Sequence, residues 1–576
     1  MSIKYIVRKF KRITTVKSVS YSLFFLNLFC IVAGILYLAV PEYLPLWDIF
    51  GIILTITFFE NLLLIYLNLL KVNKKNKLGY RLYIFCYVLL VFIILGMIGM
   101  MQGNLLSSAT ISNSFLGGYA LNHVSYFGIL TFGITLVVID FLTRKNSEFW
   151  GNNMRRGGRN SPKILRFKEI IKKIIITSTW IGLCIGAFCA FITIFGVFEF
   201  VTTQIAVFSS QYGVFLSFIF LANTIILIKL KKGRWNRKKF RRVALTGLLV
   251  SFSLLSPFIL SNINAISAEV NFSKAFGQNW QQEIPTETNE YFLHTSFSTA
   301  GYYLGTPPKD CIVIENVLFY DNESIKLYFD VYMPLKRGEN LPGQNSTLIR
   351  IHGGGWVSGD KGGSNMVQMN KYFAAQGYIV FDIQYGLYDS TITALDLNTP
   401  NNNKGDFNID DMVRHIGEFT KYLSENAELF GANLDSVFFS GSSSGGHLAS
   451  AAGLALASGN YTNFFSQNIT LKGIIPFYPS NGQMVYFGID GSDEFKNPEK
   501  LIGTDSPPCL IFQGTHDVLT YFGISRNFRA SYLSKENVNC AIIWMLLGGH
   551  TSDFYFSGHY NQIFLYYMER FMYLHQ

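Results

Sequence analysis

Hydrophobic residues in the first 262 positions fall in blocks rather than in alternation. Seven blocks, near 20–40, 46–70, 82–101, 125–143, 174–198, 212–230 and 243–262, are separated by short polar or basic stretches. A helix needs about 20 apolar residues to cross a bilayer, and each block approaches that length. One such run could be a buried core helix; seven in one half of a chain predict an all-α bundle of transmembrane helices. From about residue 310 the pattern changes to short β-rich runs alternating with longer amphipathic ones. Strands are predicted near 315–320, 326–333, 347–352, 378–383, 436–440, 473–478, 508–513 and 540–547, and helices near 363–376, 409–429, 444–458, 520–535 and 558–573. Two opening strands followed by β-α alternation predict a mostly parallel sheet with helices on both faces. Segment 263–309 is rich in Asn, Ser and Thr, lacks a clear period, and is expected to be a linker or lid. The stretch from Tyr388 to Lys404 is expected to be a loop. The division is therefore 1–262 transmembrane, 263–309 linker or lid, and 310–576 α/β.

Composition excludes two classes. The 576 residues are 49% hydrophobic and 15% charged, against about 25% charged in an ordinary soluble domain, so the chain is neither purely soluble nor disordered. Its net charge of +11 conceals a split: residues 1–262 hold 30 Lys and Arg against seven Asp and Glu, and residues 263–576 hold 18 against 30. All the basic residues of the first half fall in segments 1–19, 71–81, 143–173 and 229–242, whereas the loops near 41–45, 102–124 and 199–211 have no Lys or Arg. Such alternation is what the positive-inside bias produces. It places the N-terminus in the cytoplasm and, after seven crossings, everything beyond residue 263 outside the cell membrane. The first block follows a basic segment, but it is long and no small-x-small cleavage site follows, so it is read as an uncleaved span. The basic residues lack the spread of a nucleic-acid surface, and the expected partners are the lipid bilayer and an extracytoplasmic substrate. Seven Cys without CxxC or zinc spacing indicate neither a disulfide scaffold nor a metal site, and no cofactor is expected. Glu60 lies mid-block, where an ionisable group is costly; it is either functional or a carboxyl held between packed helices.

Two motifs carry chemistry. Gly441-Ser442-Ser443-Ser444-Gly445 follows the β-run Val437–Ser440 and precedes an Ala-rich helical stretch. This is G-x-S-x-G in the strand–turn–helix setting of a nucleophile elbow, which lifts the Ser443 hydroxyl above a sheet. His352-Gly353-Gly354-Gly355-Trp356 ends an earlier apolar strand. Acyl transfer needs donors already aimed at the developing oxyanion, and successive glycines let backbone N–H groups approach a substrate. The N–H groups of Gly354, Gly355 and Ser444 are the candidate oxyanion hole, with Gly353, Trp356, Gly441 and Gly445 as supporting motif positions.

Together with FDVYMP at 329–334, the stretches HGGGW-VSGDK at 352–361 and GSSSGGHLA at 441–449 resemble α/β-hydrolases. The resemblance points to the HGGG-containing carboxylesterases, the hormone-sensitive-lipase-like and short bacterial branch, and it covers roughly 310–576. It implies a triad in the order Ser, acid, His, each on a loop after a strand. Asp517 matches the acid, in a turn where Gln513 replaces the usual His. His550 matches the base. Its rivals are His516, expected on a surface turn, and His559 and His575, both expected in or past the last helix, with His559 in a surface or capping role. Asp382 and Tyr385 match a structural strand end, and His352 is expected to order the oxyanion loop. The implied activity is a serine esterase acting on short acyl esters, such as O-acetyl groups of surface glycans or lipids. The alternatives are an acyltransferase using the same triad, or a transport or sensor protein with an accessory hydrolase domain.

Overall fold

The computed structural model describes residues 16–40, 45–72, 77–109, 114–149, 162–196, 200–231, 236–322, 325–336, 340–362, 366–389 and 399–576. The first five basic residues of the chain, the centres of the three basic loops and the middle of the loop after Tyr388 lie outside the described residues.

Seven helices among these are long and apolar enough to cross a membrane. They are α1 (Val16–Ala39), α2 (Leu46–Lys71), α3 (Lys77–Ala109), α4 (Ser114–Phe149), α5 (Pro162–Phe195), α7 (Gly213–Leu230) and α8 (Arg237–Ile259), with the shorter α6 (Phe200–Gln211) between α5 and α7. Their outward faces carry exposed Phe25, Ile52, Leu95, Ile181 and Phe252. A bundle that is apolar outside as well as inside is compatible with a multi-pass membrane protein. Several helices outrun their apolar blocks. The stretch 102–124, expected as a loop, is largely helical: α3 runs on to Ala109 and α4 begins at Ser114. The two pack so closely that a Cβ on Gly103 would lie 2.5 Å from the Gly118 carbonyl oxygen. Hydropathy falls there because the contact is made by Gly, Asn and Ser, which still extend a helix.

The expectation of a linker over 263–309 is corrected by α9 (Ser261–Phe276), which follows α8 after the single residue Leu260. Its buried positions Ser261, Asn264, Ala268, Phe272 and Ala275 recur with helical spacing, a stripe made of residues too small or polar to register as apolar. Ala268, Phe272 and Ala275 share a core with Leu510, Ile543, Met545 and Phe564 of the α/β half. Further on, α10 (Thr299–Leu304) is capped by Ser298 Oγ accepting from Gly301 N and inserts Tyr302, Tyr303 and Leu304 into the core of the bundle. The segment ties the two halves together at both ends.

The α/β half is an eight-stranded sheet: β1 (Ile312–Asp321), β2 (Lys326–Met333), β3 (Ser346–Ile351), β4 (Ile379–Ile383), β5 (Asn433–Ser442), β6 (Leu471–Phe477), β7 (Cys509–Gly514) and β8 (Cys540–Met545). The order is β1-β2-β4-β3-β5-β6-β7-β8. β2 is antiparallel to both neighbours, β1 and β4, and the remaining pairs are parallel. Alternate residues feed two cores. Ile349, Val437 and Phe439 pack with α12 (Ile409–Phe430) and α13 (Ser444–Ser458). Leu348, Phe438 and Leu510 pack with α11 (Val367–Ala375) and α15 (His559–His575). A strand covered on both faces reads as a mostly apolar run, which is why β3, β4 and β7 stand out in the sequence, with only Arg350 in β3 and Asp382 in β4 carrying charge. α14 (Phe522–Ser534) flanks β7 and β8.

Candidate active site

β5 ends at Ser442 and α13 begins at Ser444, so Ser443 alone makes the turn, at φ 55° and ψ −117°. This is a strained conformation for a residue with a side chain. The flanking glycines are required by contact. A Cβ on Gly441 would lie 2.3 Å from the Gly445 carbonyl oxygen, and one on Gly445 would lie 2.1 Å from that of Ile351 at the end of β3. The elbow is thus pressed against the strand that carries the Gly-rich loop.

The loops after β7 and β8 bring the other two residues to the hydroxyl. His550 Nε2 is 3.1 Å from Ser443 Oγ, and His550 Nδ1 is 2.9 Å from Asp517 Oδ2. Asp517 is buried and saturated. Its Oδ1 accepts from Leu519 N at 3.0 Å and Thr520 N at 2.8 Å, and its Oδ2 accepts from Thr520 Oγ1 at 2.6 Å. Gln513 donates to Asp517 Oδ2 at 3.4 Å and accepts from Ser525 Oγ at 2.7 Å, so Gln513 helps to hold the Asp517 carboxylate.

The Gly-rich loop folds back over the elbow. Gly354 has φ +128° and no room for a Cβ, which would lie 1.9 Å from Ser358 O. Among the described residues, the backbone N–H groups of Gly354, Gly355 and Ser444 have no intramolecular acceptor. His352 is buried and stacks on Tyr385 with ring centres 4.5 Å apart, while Tyr385 Oη donates to His352 O at 3.1 Å. Burial lowers the His352 pKa, so the ring is neutral and orders the loop. Asp382 accepts from Gly362 N and from Asn370 Nδ2, a structural role. Trp356 Nε1 donates to His447 Nδ1 at 3.2 Å, and His447 Nε2 lies 2.7 Å from Phe495 O. Burial takes His447 down to about 4; with Nδ1 accepting from Trp356, its single proton sits on Nε2, and the ring, on α13, bridges the Gly-rich loop to Phe495.

Two rival histidines need correction. His559, expected at the surface, is 1% exposed and packs among Phe258, Tyr302 and Tyr560. Neither ring nitrogen has a hydrogen-bond partner among the described residues, and burial drives its pKa to about 3. The first residue of α15 faces the end of α8, a packing that only the tertiary structure creates. His516, expected on an open turn, has Nε2 3.0 Å from Ile194 O at the end of α5. His575 packs on Phe276 and Phe571. Glu60 is half-buried on α2 and does not line the site.

A cavity of about 470 Å³ opens over Ser443 and His550. Sequence reasoning missed several of its features. Ser480 Oγ lies 3.3 Å from Ser443 Oγ. Tyr478 packs edge-on against His550, with ring centres 4.5 Å apart, and donates to Asp553 Oδ1 at 2.8 Å; burial raises the Asp553 carboxyl. Ser108 and Gln204, from α3 and α6, complete the wall. The bundle also grips the His550 loop. Gln211 Nε2 donates to Thr551 O at 3.1 Å, Tyr555 N donates to Gln211 Oε1 at 2.8 Å, and Phe556 N donates to Ser108 Oγ at 3.2 Å. No local sequence pattern marks these residues, because their partners lie more than 300 positions away.

The BD-FAE family matches residues 329–484, a span that holds the Gly-rich loop and the elbow but ends before Asp517 and His550. No curated protein matches the chain. Among solved structures, the chain is similar to esterase B from Lactobacillus rhamnosis, at 20% identity over 50% of this chain and 89% of that one, with a TM-score of 0.35. It is also similar to Thermogutta terrifontis esterase 2 phosphonylated by cyclosarin, at 19% identity over 42% and 84% of the two chains, with a TM-score of 0.33. The C-terminal half is an esterase-like α/β-hydrolase domain.

Proposed function

We propose that the protein is a membrane-anchored serine esterase whose hydrolase domain faces the outside of the cell and cleaves short acyl esters, with O-acetyl groups of surface glycans or lipids as the substrate class. The observation that carries this reading is the chain Ser443 Oγ–His550 Nε2 at 3.1 Å and His550 Nδ1–Asp517 Oδ2 at 2.9 Å, on an elbow whose backbone is strained at the serine. Ser443 Oγ attacks the ester carbonyl carbon while His550 Nε2 takes its proton. The tetrahedral oxyanion is held by the N–H groups of Gly354, Gly355 and Ser444. The intermediate collapses, His550 returns the proton to the departing alcohol, and water then releases the acid from Ser443 by the same steps. Asp517 accepts a hydrogen bond from Nδ1–H, which fixes the tautomer, and stabilises the imidazolium. No metal or cofactor enters these steps.

The outward placement is supported by charge and by contact. Residues at or near the Lys- and Arg-free loops meet the join and the α/β half: Tyr37 with Gly305 and Asn104 and Asn122 with Tyr303 of the join, and Ile194 with His516 of the α/β half. In this reading 1–262 is the transmembrane domain, 263–309 the ordered join and 310–576 the esterase.

The test uses the full chain in detergent or nanodiscs. Wild type should label with a fluorophosphonate at Ser443 and cleave short esters, and Ser443→Ala should do neither. Equal labelling of Ser443→Ala would overturn the assignment. Acyl transfer to an added acceptor alcohol in excess over hydrolysis would make the protein an acyltransferase.

A further inference from the structure

An enzyme for dissolved esters needs a membrane anchor only to stay in place, and one span suffices. Here the bundle forms part of the catalytic cavity. Ser108, in the last turn of α3, and Gln204, exposed on α6, line the same space as Ser443 and His550. The junction is a fixed wall rather than a loose contact. Gln211 holds both Thr551 and Tyr555, the Tyr302 hydroxyl donates to Gln211 O at 2.8 Å, and the Tyr555 hydroxyl donates to Tyr302 O. Tyr212 and Tyr555 stack across the join with ring centres 4.6 Å apart. The rest of the lining combines polar groups, among them Ser480, Thr520 and Asp553, with apolar Met366 and Leu519, and leaves Tyr486 and Phe554 80% and 43% exposed at its rim. Val201, one turn before Gln204 on α6, and Leu106, two residues before Ser108 on α3, are also exposed. Tyr486, an exposed aromatic ring with a polar tip in the cavity that Ser108 and Gln204 also line, suits the boundary between lipid and water.

We infer that the substrate is an ester carried by a bilayer-resident amphiphile, a lipid or lipid-linked compound, whose ester end reaches Ser443 along the seam between the helix bundle and the hydrolase domain, against Ser108 and Gln204. This rests on the esterase reading above and names its substrate class. A substrate confined to the membrane plane is delivered to a cavity that part of the membrane domain encloses, which accounts for a wall built from two helices of the bundle.

Two measurements on the full-length protein in vesicles test it. In the first, a fluorophosphonate bearing a long alkyl tail with a terminal diazirine is reacted with Ser443 and photolysed. Cross-links should fall in peptides from 77–109 or 200–211; cross-links confined to residues 480–560 would overturn the inference. In the second, kcat/KM is compared for a butyryl ester on a vesicle-embedded diacylglycerol and for dissolved p-nitrophenyl butyrate. Gln204→Trp should lower the ratio of the two at least tenfold. An unchanged ratio in a variant that still labels refutes the inference and leaves the esterase intact. Loss of Ser443 labelling and of all ester cleavage in the wild type would instead refute the esterase reading.

Discussion

Gln211 offers the most direct test of whether the bundle is part of the catalyst. Its side chain is buried, donates to Thr551 O and accepts from Tyr555 N, so it spans the loop that begins at His550. Gln211→Met keeps nearly the same volume and removes both hydrogen bonds. If the loop stayed in place, the buried Tyr555 N–H would lose its acceptor, at about 1–3 kcal/mol, whereas the part-buried Thr551 O would keep Phe554 N as a donor. The cheaper response is for the loop to shift and take up water, and His550 shifts with it. A displacement of about 1 Å at a catalytic group costs on the order of 10²-fold in rate. Among the described residues, the hydrogen bonds of Gln211 go to Val207, Thr551, Tyr302 and Tyr555 and not to Asp517, the elbow or the Gly-rich loop, so KM should change little while kcat and the fluorophosphonate labelling rate of Ser443 fall together. The assay is stopped-flow or gel-based labelling of the full chain in detergent, with near-ultraviolet circular dichroism to confirm folding. A folded Gln211→Met that labels within twofold of wild type would refute the reasoning.

Further outcomes follow from the same geometry. His550→Ala and Ser443→Ala should each lower kcat by about 10⁵–10⁶, and the double variant should be little worse than either, because triad members act as a unit; additive losses measured by steady-state kinetics would contradict the shared role. Gly445→Ala places a Cβ 2.1 Å from Ile351 O and 2.5 Å from His352 O, both backbone atoms, so it should abolish labelling and lower the melting temperature rather than tune the rate. His559 is held neutral, with its pKa lowered to about 3. The unfolded chain binds a proton below its ordinary value while the folded one does not, so this group costs stability as pH falls, at up to ~1.4 kcal/mol per pH unit. His559→Phe should flatten the fall in melting temperature between about pH 6 and 3 while keeping activity; an unchanged acid limb would argue against the burial. An alkaline-phosphatase reporter fused after residue 262 should be active outside the cell, and activity only inside would reverse the orientation.

The elements most legible in the sequence are those whose surroundings are uniform. Strands buried on both faces, such as β7, show as apolar runs, and the elbow declares itself because its glycines answer to backbone atoms a few ångströms away. The chemistry of Ser443 and the Gly-rich loop is local, so spacing suffices to find it. His550 and Asp517 could be picked out only by matching a family pattern. What escaped was set by distant partners. The stripe Ser261, Asn264, Ala268, Phe272, Ala275 is periodic in packing but not in hydropathy, so α9 passed for a linker. His559 looked polar because the Phe258 and Tyr302 rings around it belong to the bundle and the join. Ser108, Gln204 and Gln211 take their meaning from a loop whose residues are more than 300 positions later.

The placement of α9 bears on how this half of the molecule behaves when it is cut away. β8 is the outermost strand of the sheet, and α9 packs into the core beside it, with Asn264 Oδ1 accepting from Leu546 N just past its end. An outer strand stripped of its cover offers free N–H and C=O groups to any other chain. Severing the polypeptide after the bundle, by protease or by truncation near residue 280, would bare that strand together with the apolar surface that Ala268, Phe272 and Ala275 now cover. The released piece should stack strand to strand into aggregates rather than diffuse off as a free enzyme, so the helix that joins this domain to the bundle also guards it against self-association.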